Sequence, residues 1–141
     1  MYSEQKIENL LKIAKDAQLI VPEEMLKCRY EMLVKICNGV GSQSMPEWAR
    51  NAGNVFFNAV EASAAIHDFM YEFSDGSLHL KEKADDIFLL NGIDEIYHKY
   101  GWWNWKRYVA RIKLMAAYDI LRAVGNRAYI TAYIKRRENK L

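Results

Sequence analysis

At 141 residues, with 51% hydrophobic and 27% charged side chains, the chain has material for one sizeable core, and its length does not suggest a second domain. Two cysteines are too few for a disulfide scaffold, and no apolar run is long enough to span a bilayer. Seven glycines and two prolines in a chain of average charge favour a soluble, all-α fold over a β-rich one. The formal charge of +2 is unevenly placed: from Trp102 onward there are ten Lys/Arg and two Asp/Glu. Such an end either steers the chain toward phosphate-bearing surfaces or forms a solvated helix face.

Residues 4–16 carry Ile7, Leu10, Leu11 and Ala14 at helical spacing, which predicts an amphipathic helix. Its apolar face is a candidate lining for an acyl channel. The start at Met1 lacks the basic-then-apolar pattern of a cleaved secretory signal. Val21-Pro22-Glu23-Glu24 reads as a second helix start, running to about Ile36 with Met25, Met32, Leu33 and Ile36 on one stripe. If they sit on one helix, Cys28 and Cys37, nine residues apart, are too distant to bridge. A reducing cytoplasmic setting follows, with release lacking a cleaved signal left open.

Asn38 to Pro46 reads as a loop in which Gly39 and Gly41 relax the backbone. A long helix is expected over 54–73, ending in the turn cluster Ser74-Asp75-Gly76-Ser77. A second, antiparallel to it, is expected over 80–100. Gly92 weakens that helix slightly. Beyond Gly101 a helix should reach about Val124 and stop at Gly125-Asn126, before a last helix over 128–137.

The chemistry concentrates in Ala65-Ile66-His67-Asp68-Phe69-Met70-Tyr71. One helical turn puts His67 and Tyr71 on the same face, with Asp68 about a quarter-turn away. An imidazole that titrates near neutrality accepts a proton from water, provided its other nitrogen is oriented by a partner. Asp85 on the neighbouring helix is the candidate partner, with Tyr71 a candidate donor to the same carboxylate; the other reading is a core histidine satisfied by a backbone carbonyl. Asp86 then faces water, because Ile87 and Phe88 need the core. Asp68 beside a flexible glycine loop is a candidate calcium ligand, together with the carbonyls of Cys37, Gly39 and Gly41. A loop amide, with Gly39 the candidate, would face the oxyanion. Glu61, two turns before Asp68, is either on the ligand side or solvated. His79 and His98 read as surface residues. For Trp102-Trp103-Asn104-Trp105, the expectation is two indoles in the core and one over the surface, against lipid-phosphate contact as the other reading.

The order glycine loop, H-D-x-x-Y, then A-D-x-x-F, covering about Ile36 to Phe88, resembles the phospholipase A2 superfamily. The similarity is to its disulfide-free branches, among them parvovirus capsid lipase domains and bacterial and phage proteins. The resemblance implies calcium-dependent hydrolysis of a phospholipid carboxylic ester. It implies His67 as the base, Asp85 and Tyr71 as its support, and Asp68, Cys37, Gly39 and Gly41 as calcium ligands. The chain departs from the family in carrying Cys37 where tyrosine is frequent, in lacking the cysteine framework of secreted members, and in a longer stretch from Ser42 to Gly53. The competing reading is an inactive lipase-like scaffold that binds a protein partner or a membrane surface. Nucleic-acid binding through the basic end is a third and weaker option.

Overall fold

The computed structural model describes residues 2–37 and 59–139, and every regular element among them is a helix. Helix α1 spans Glu4–Asp16. The Ser3 hydroxyl accepts the Lys6 amide at its start, Glu4 and Lys15 suit the two ends of its dipole, and Ile7, Leu10 and Ala14 are buried. It ends with Gln18 at φ 56, a left-handed conformation that reverses the chain.

The second predicted helix is in fact two, α2 at Glu23–Lys27 and α3 at Tyr30–Cys37. Cys28 is extended, and the Arg29 carbonyl accepts the Met32 and Leu33 amides to restart the helix. In an unbroken helix Met25 and Met32 would share a face. The break rotates α3, so that Met25 and Leu33 are buried while Met32 is exposed.

Helices α4 (Glu61–Glu72) and α5 (Leu78–Lys99) form the central antiparallel hairpin. The upstream part of the predicted 54–73 helix, residues 54–58, lies outside the described residues. Between α4 and α5, Asp75 accepts the Ser77 amide, and Ser77 caps α5 by accepting the Leu80 amide. Gly76 sits at φ +83, with a Cβ position only 2.7 Å from the Tyr133 ring, so the turn requires glycine.

Val60 gives α4 no side-chain cap. Glu95 of α5 takes the role, accepting the Ala62 amide at 3.0 Å, the Ser63 amide at 2.9 Å and the Ser63 hydroxyl at 2.6 Å. Asn91 likewise holds Ile20, accepting its amide at 2.7 Å and donating to its carbonyl at 2.8 Å. Both buried polar residues are satisfied by backbone that would otherwise be unpaired.

The last element, α6, is one continuous helix from Trp105 to Glu138 rather than two. Gly125 does not stop it. A Cβ there would sit 3.3 Å from the end of the Lys81 side chain, so the glycine leaves room for a buried lysine. One core cluster joins α1, α2, α3 and α4, and another joins α5 and α6 to the start of α4.

Gly92 is a packing requirement rather than a weak point: a Cβ there would lie 2.8 Å from the buried Leu114 side chain. Helix propensity alone favours alanine by about 1 kcal/mol. We expect Gly92→Ala to destabilise instead, by about 1–3 kcal/mol in urea unfolding, because overpacking dominates. A stabilised variant would contradict the close approach of α5 and α6.

Candidate active site

His67 lies in the middle of α4 with its ring almost fully buried. Its ring is 4.0 Å from the Tyr71 ring and 5.2 Å from the Phe88 ring, which hold it in place from two helices. His67 Nε2 is 2.8 Å from Asp85 Oδ1. Tyr71 Oη donates to the same oxygen at 2.5 Å. The structure therefore brings His67, Tyr71 and Asp85 together. Asp86, one residue on, is exposed and accepts the Tyr118 hydroxyl at 2.6 Å.

A fourth residue, Lys81, was not foreseen. It is 1% exposed, one turn before Asp85, and donates to Asp85 Oδ2 and to the Leu121 carbonyl, the latter at 3.0 Å. Its spacing from Asp85 is the i, i+4 relation of an ordinary helix ion pair, and that was the available signal. Tyr129 of α6 meets the Tyr71 ring edge-on and donates to the Ser77 carbonyl at 3.1 Å.

These contacts determine protonation. Burial raises the pKa of Asp85, but hydrogen bonds from His67, Lys81 and Tyr71 outweigh it and hold the carboxyl below its ordinary range. With three donors aimed at it, Asp85 is an acceptor only. A neutral His67 ring therefore carries its proton on Nε2, with the lone pair on Nδ1. Burial, followed by the bond to Asp85, raises the Tyr71 pKa, so its hydroxyl stays protonated.

Asp68 is half-buried on the neighbouring side of α4. Burial alone pushes its carboxyl up to about 7. Burial, then the Asp68 charge, pushes the Cys37 thiol up to about 12. That thiol donates to the Ala65 carbonyl at 3.6 Å, so Cys37 can offer calcium only its own carbonyl. A carboxylate whose burial no hydrogen bond or cation among the described residues offsets fits a hard, oxygen-preferring cation. Among the described residues, no group of three His/Cys/Asp/Glu side chains gathers to hold a metal. Gly39, Gly41 and the loop to Gly53 lie outside the described residues.

Three other expectations change. Glu61 is not simply solvated: it pairs with Lys6 at 2.6 Å. Ile7, Leu10 and Ala14 pack on Ala62, Ala65 and Ile66 and leave a cavity of about 10 Å³. That is room for one water at most, so this face is core rather than an acyl channel. Trp102, Trp103 and Trp105 are all exposed, at 71, 75 and 67%, where two were expected in the core. They precede or open α6, and Trp105 falls on the side away from the buried Ala110 and Leu114. His79 and His98 are exposed as expected, and no described helix is long and apolar enough to cross a membrane.

The raised Asp68 carboxyl predicts a pH-dependent stability. Its folded value lies above the unfolded one, so the folded chain binds the proton more tightly. Stability from this group is intact below about pH 4 and falls as the pH rises toward 7. Asp68→Asn should therefore stabilise the calcium-free protein at pH 8 by roughly 1–2 kcal/mol, allowing for partial exposure. The gain should shrink at pH 5, as read by thermal melting at both values. Equal gains at the two pH values would contradict it. No family model, no curated protein and no solved structure matches this chain.

Proposed function

We propose that the chain is a calcium-dependent hydrolase of a phospholipid carboxylic ester. The observation that carries this reading is the 2.8 Å pairing of His67 Nε2 with an Asp85 carboxylate also gripped by Tyr71, with Asp68, the residue after His67, half-buried and without an ion pair among the described residues. The imidazole is oriented through one nitrogen and keeps a lone pair on the other, as a general base requires.

In this reading His67 Nδ1 takes a proton from water as the water oxygen attacks the ester carbonyl carbon. The imidazolium that forms is stabilised by Asp85, which stays ionised. The same proton then goes to the departing alcohol oxygen as the acyl–oxygen bond breaks. The products are a fatty acid and a lysophospholipid. Asp68 and the carbonyl of Cys37, with those of Gly39 and Gly41, would hold calcium. When bound, the ion supplies charge stabilisation for the developing oxyanion. Tyr71 keeps Asp85 in place and keeps its own proton.

One observation favours the inactive-scaffold reading. The Lys81 ammonium already neutralises the carboxylate that would otherwise strengthen the base. The two readings separate in one assay. Purified protein is incubated with phospholipid vesicles in millimolar calcium or in chelator, and both products are quantified. Hydrolysis predicts matched fatty acid and lysophospholipid in calcium and neither in chelator. Absence of both products under all conditions, together with no calcium-induced thermal shift, leaves the scaffold.

A further inference from the structure

Among its described side chains, helix α6 carries the most exposed apolar ones at its beginning. With Trp105 as origin and about 100° per residue, Tyr108, Val109 and Ile112 fall within about 60° of it. All four are exposed, Ile112 and Trp105 both at 67%. The buried Ala110 and Leu114 lie on the opposite side, against α5. Trp102 and Trp103 lie in the turn before the stripe, their rings edge to face with centroids 5.9 Å apart, and the Tyr108 hydroxyl donates to the Trp102 carbonyl at 2.8 Å, joining turn and stripe. A surface stripe of three indoles and three further large apolar side chains is uncommon on a protein that keeps it in water.

Its borders are cationic. Lys106 and Lys113 lie along one edge of the stripe and Arg111 along the other, all three exposed. The Arg111 guanidinium is steadied by the Tyr97 hydroxyl at 3.2 Å, and Arg107 lies 3.6 Å over the Tyr97 ring. Between Trp102 and Tyr118 there is no Asp or Glu. Pairing this face with a second copy of itself would bring these cations together with no carboxylate from this stretch of α6 between them. An apolar stripe with indoles at the polar boundary, edged by Lys and Arg, matches the interface of an anionic bilayer, where rings enter the headgroup layer and cations meet phosphates.

We propose that the Trp102–Ile112 face of α6 docks this protein on anionic membrane surfaces. The docking face is separate from the His67 site. Lys81 reaches α6 at Leu121, and from Ile112, the nearer end of the face, to residue 121 is about 14 Å of helix. Docking therefore goes beyond the hydrolase reading and stands whether or not the chain hydrolyses lipid.

The test is co-sedimentation of the full chain with phosphatidylglycerol–phosphatidylcholine vesicles and with phosphatidylcholine vesicles alone, in chelator so that hydrolysis does not intervene. The parent should be retained on the anionic vesicles, less so at high salt and less on the neutral ones. Combined Trp102→Ser, Trp103→Ser and Trp105→Ser should cut retention by about tenfold or more. Lys106→Glu with Lys113→Glu should cut it on anionic vesicles while leaving the indoles in place, and circular dichroism should show both variants folded. Retention that these variants do not change, or no retention of the parent, overturns the proposal. So does a loss by the same variants of oligonucleotide binding or of self-association, where the parent ignores vesicles. Failure of fatty-acid release with vesicle retention intact would sink only the hydrolase reading.

Discussion

Replacing Asp85 with alanine should destabilise the fold by about 3–5 kcal/mol, the largest effect expected of any single polar substitution here. Asp85 is fully buried and is the common acceptor for His67, Tyr71 and Lys81. Its removal leaves an ammonium, an imidazole and a phenol without their acceptor in an apolar setting. The ammonium is the most costly of the three, because the Leu121 carbonyl is its other partner and carries no full charge. The cost should therefore be non-additive. Lys81→Met combined with Asp85→Ala should recover part of the loss, since both charges leave together. Chemical unfolding of the two single variants and the double variant checks this, and simple additivity would contradict the buried pair. The pH dependence has a definite sign. Because the folded carboxyl lies below its ordinary value, its contribution is complete above about pH 4. It is lost as the pH falls through the folded value.

His67→Gln should reduce ester hydrolysis by about 10²–10⁴-fold, the usual worth of a positioned general base. Glutamine can keep an N–H toward Asp85 but offers no basic nitrogen to water. Stability should change by only about 1–2 kcal/mol, since Lys81 and Tyr71 remain on the carboxylate. This pairing of a large activity loss with a small stability loss separates His67 from Asp85, whose replacement should damage both. Thermal melting beside the hydrolysis assay gives both readings. An active His67→Gln protein would remove the imidazole from the chemistry.

The face shared by His67 and Tyr71 was legible in the sequence because one helical turn is a rigid ruler. The choice of Asp85 over Asp86 was legible for the same reason, as Phe88 had to be buried. Lys81 was not singled out, although it stands one turn from Asp85, because a helical lysine is ordinarily solvated. Its burial depends on Gly125, 44 positions later, and that glycine was read as a helix stop. Glu95 and Asn91 serve backbone 33 and 71 residues away, which no local pattern encodes. The exposure of Trp102, Trp103 and Trp105 was misjudged for a related reason. Hydrophobicity says that an indole gains by leaving water, but not whether another helix lies over it. The extended Cys28 likewise broke a helix that periodicity alone would have carried through.

Water as the attacking group at the ester carbonyl, activated by His67, is the centre of this account. The measurement that bears on it most directly is hydrolysis of a phospholipid in ¹⁸O-labelled water with millimolar calcium, comparing the parent with His67→Gln and analysing the products by mass spectrometry. The account predicts label in the released fatty acid and none in the lysophospholipid, with release collapsing in the variant. Label in the lysophospholipid, equal release by both proteins, or no fatty acid from the parent would contradict it.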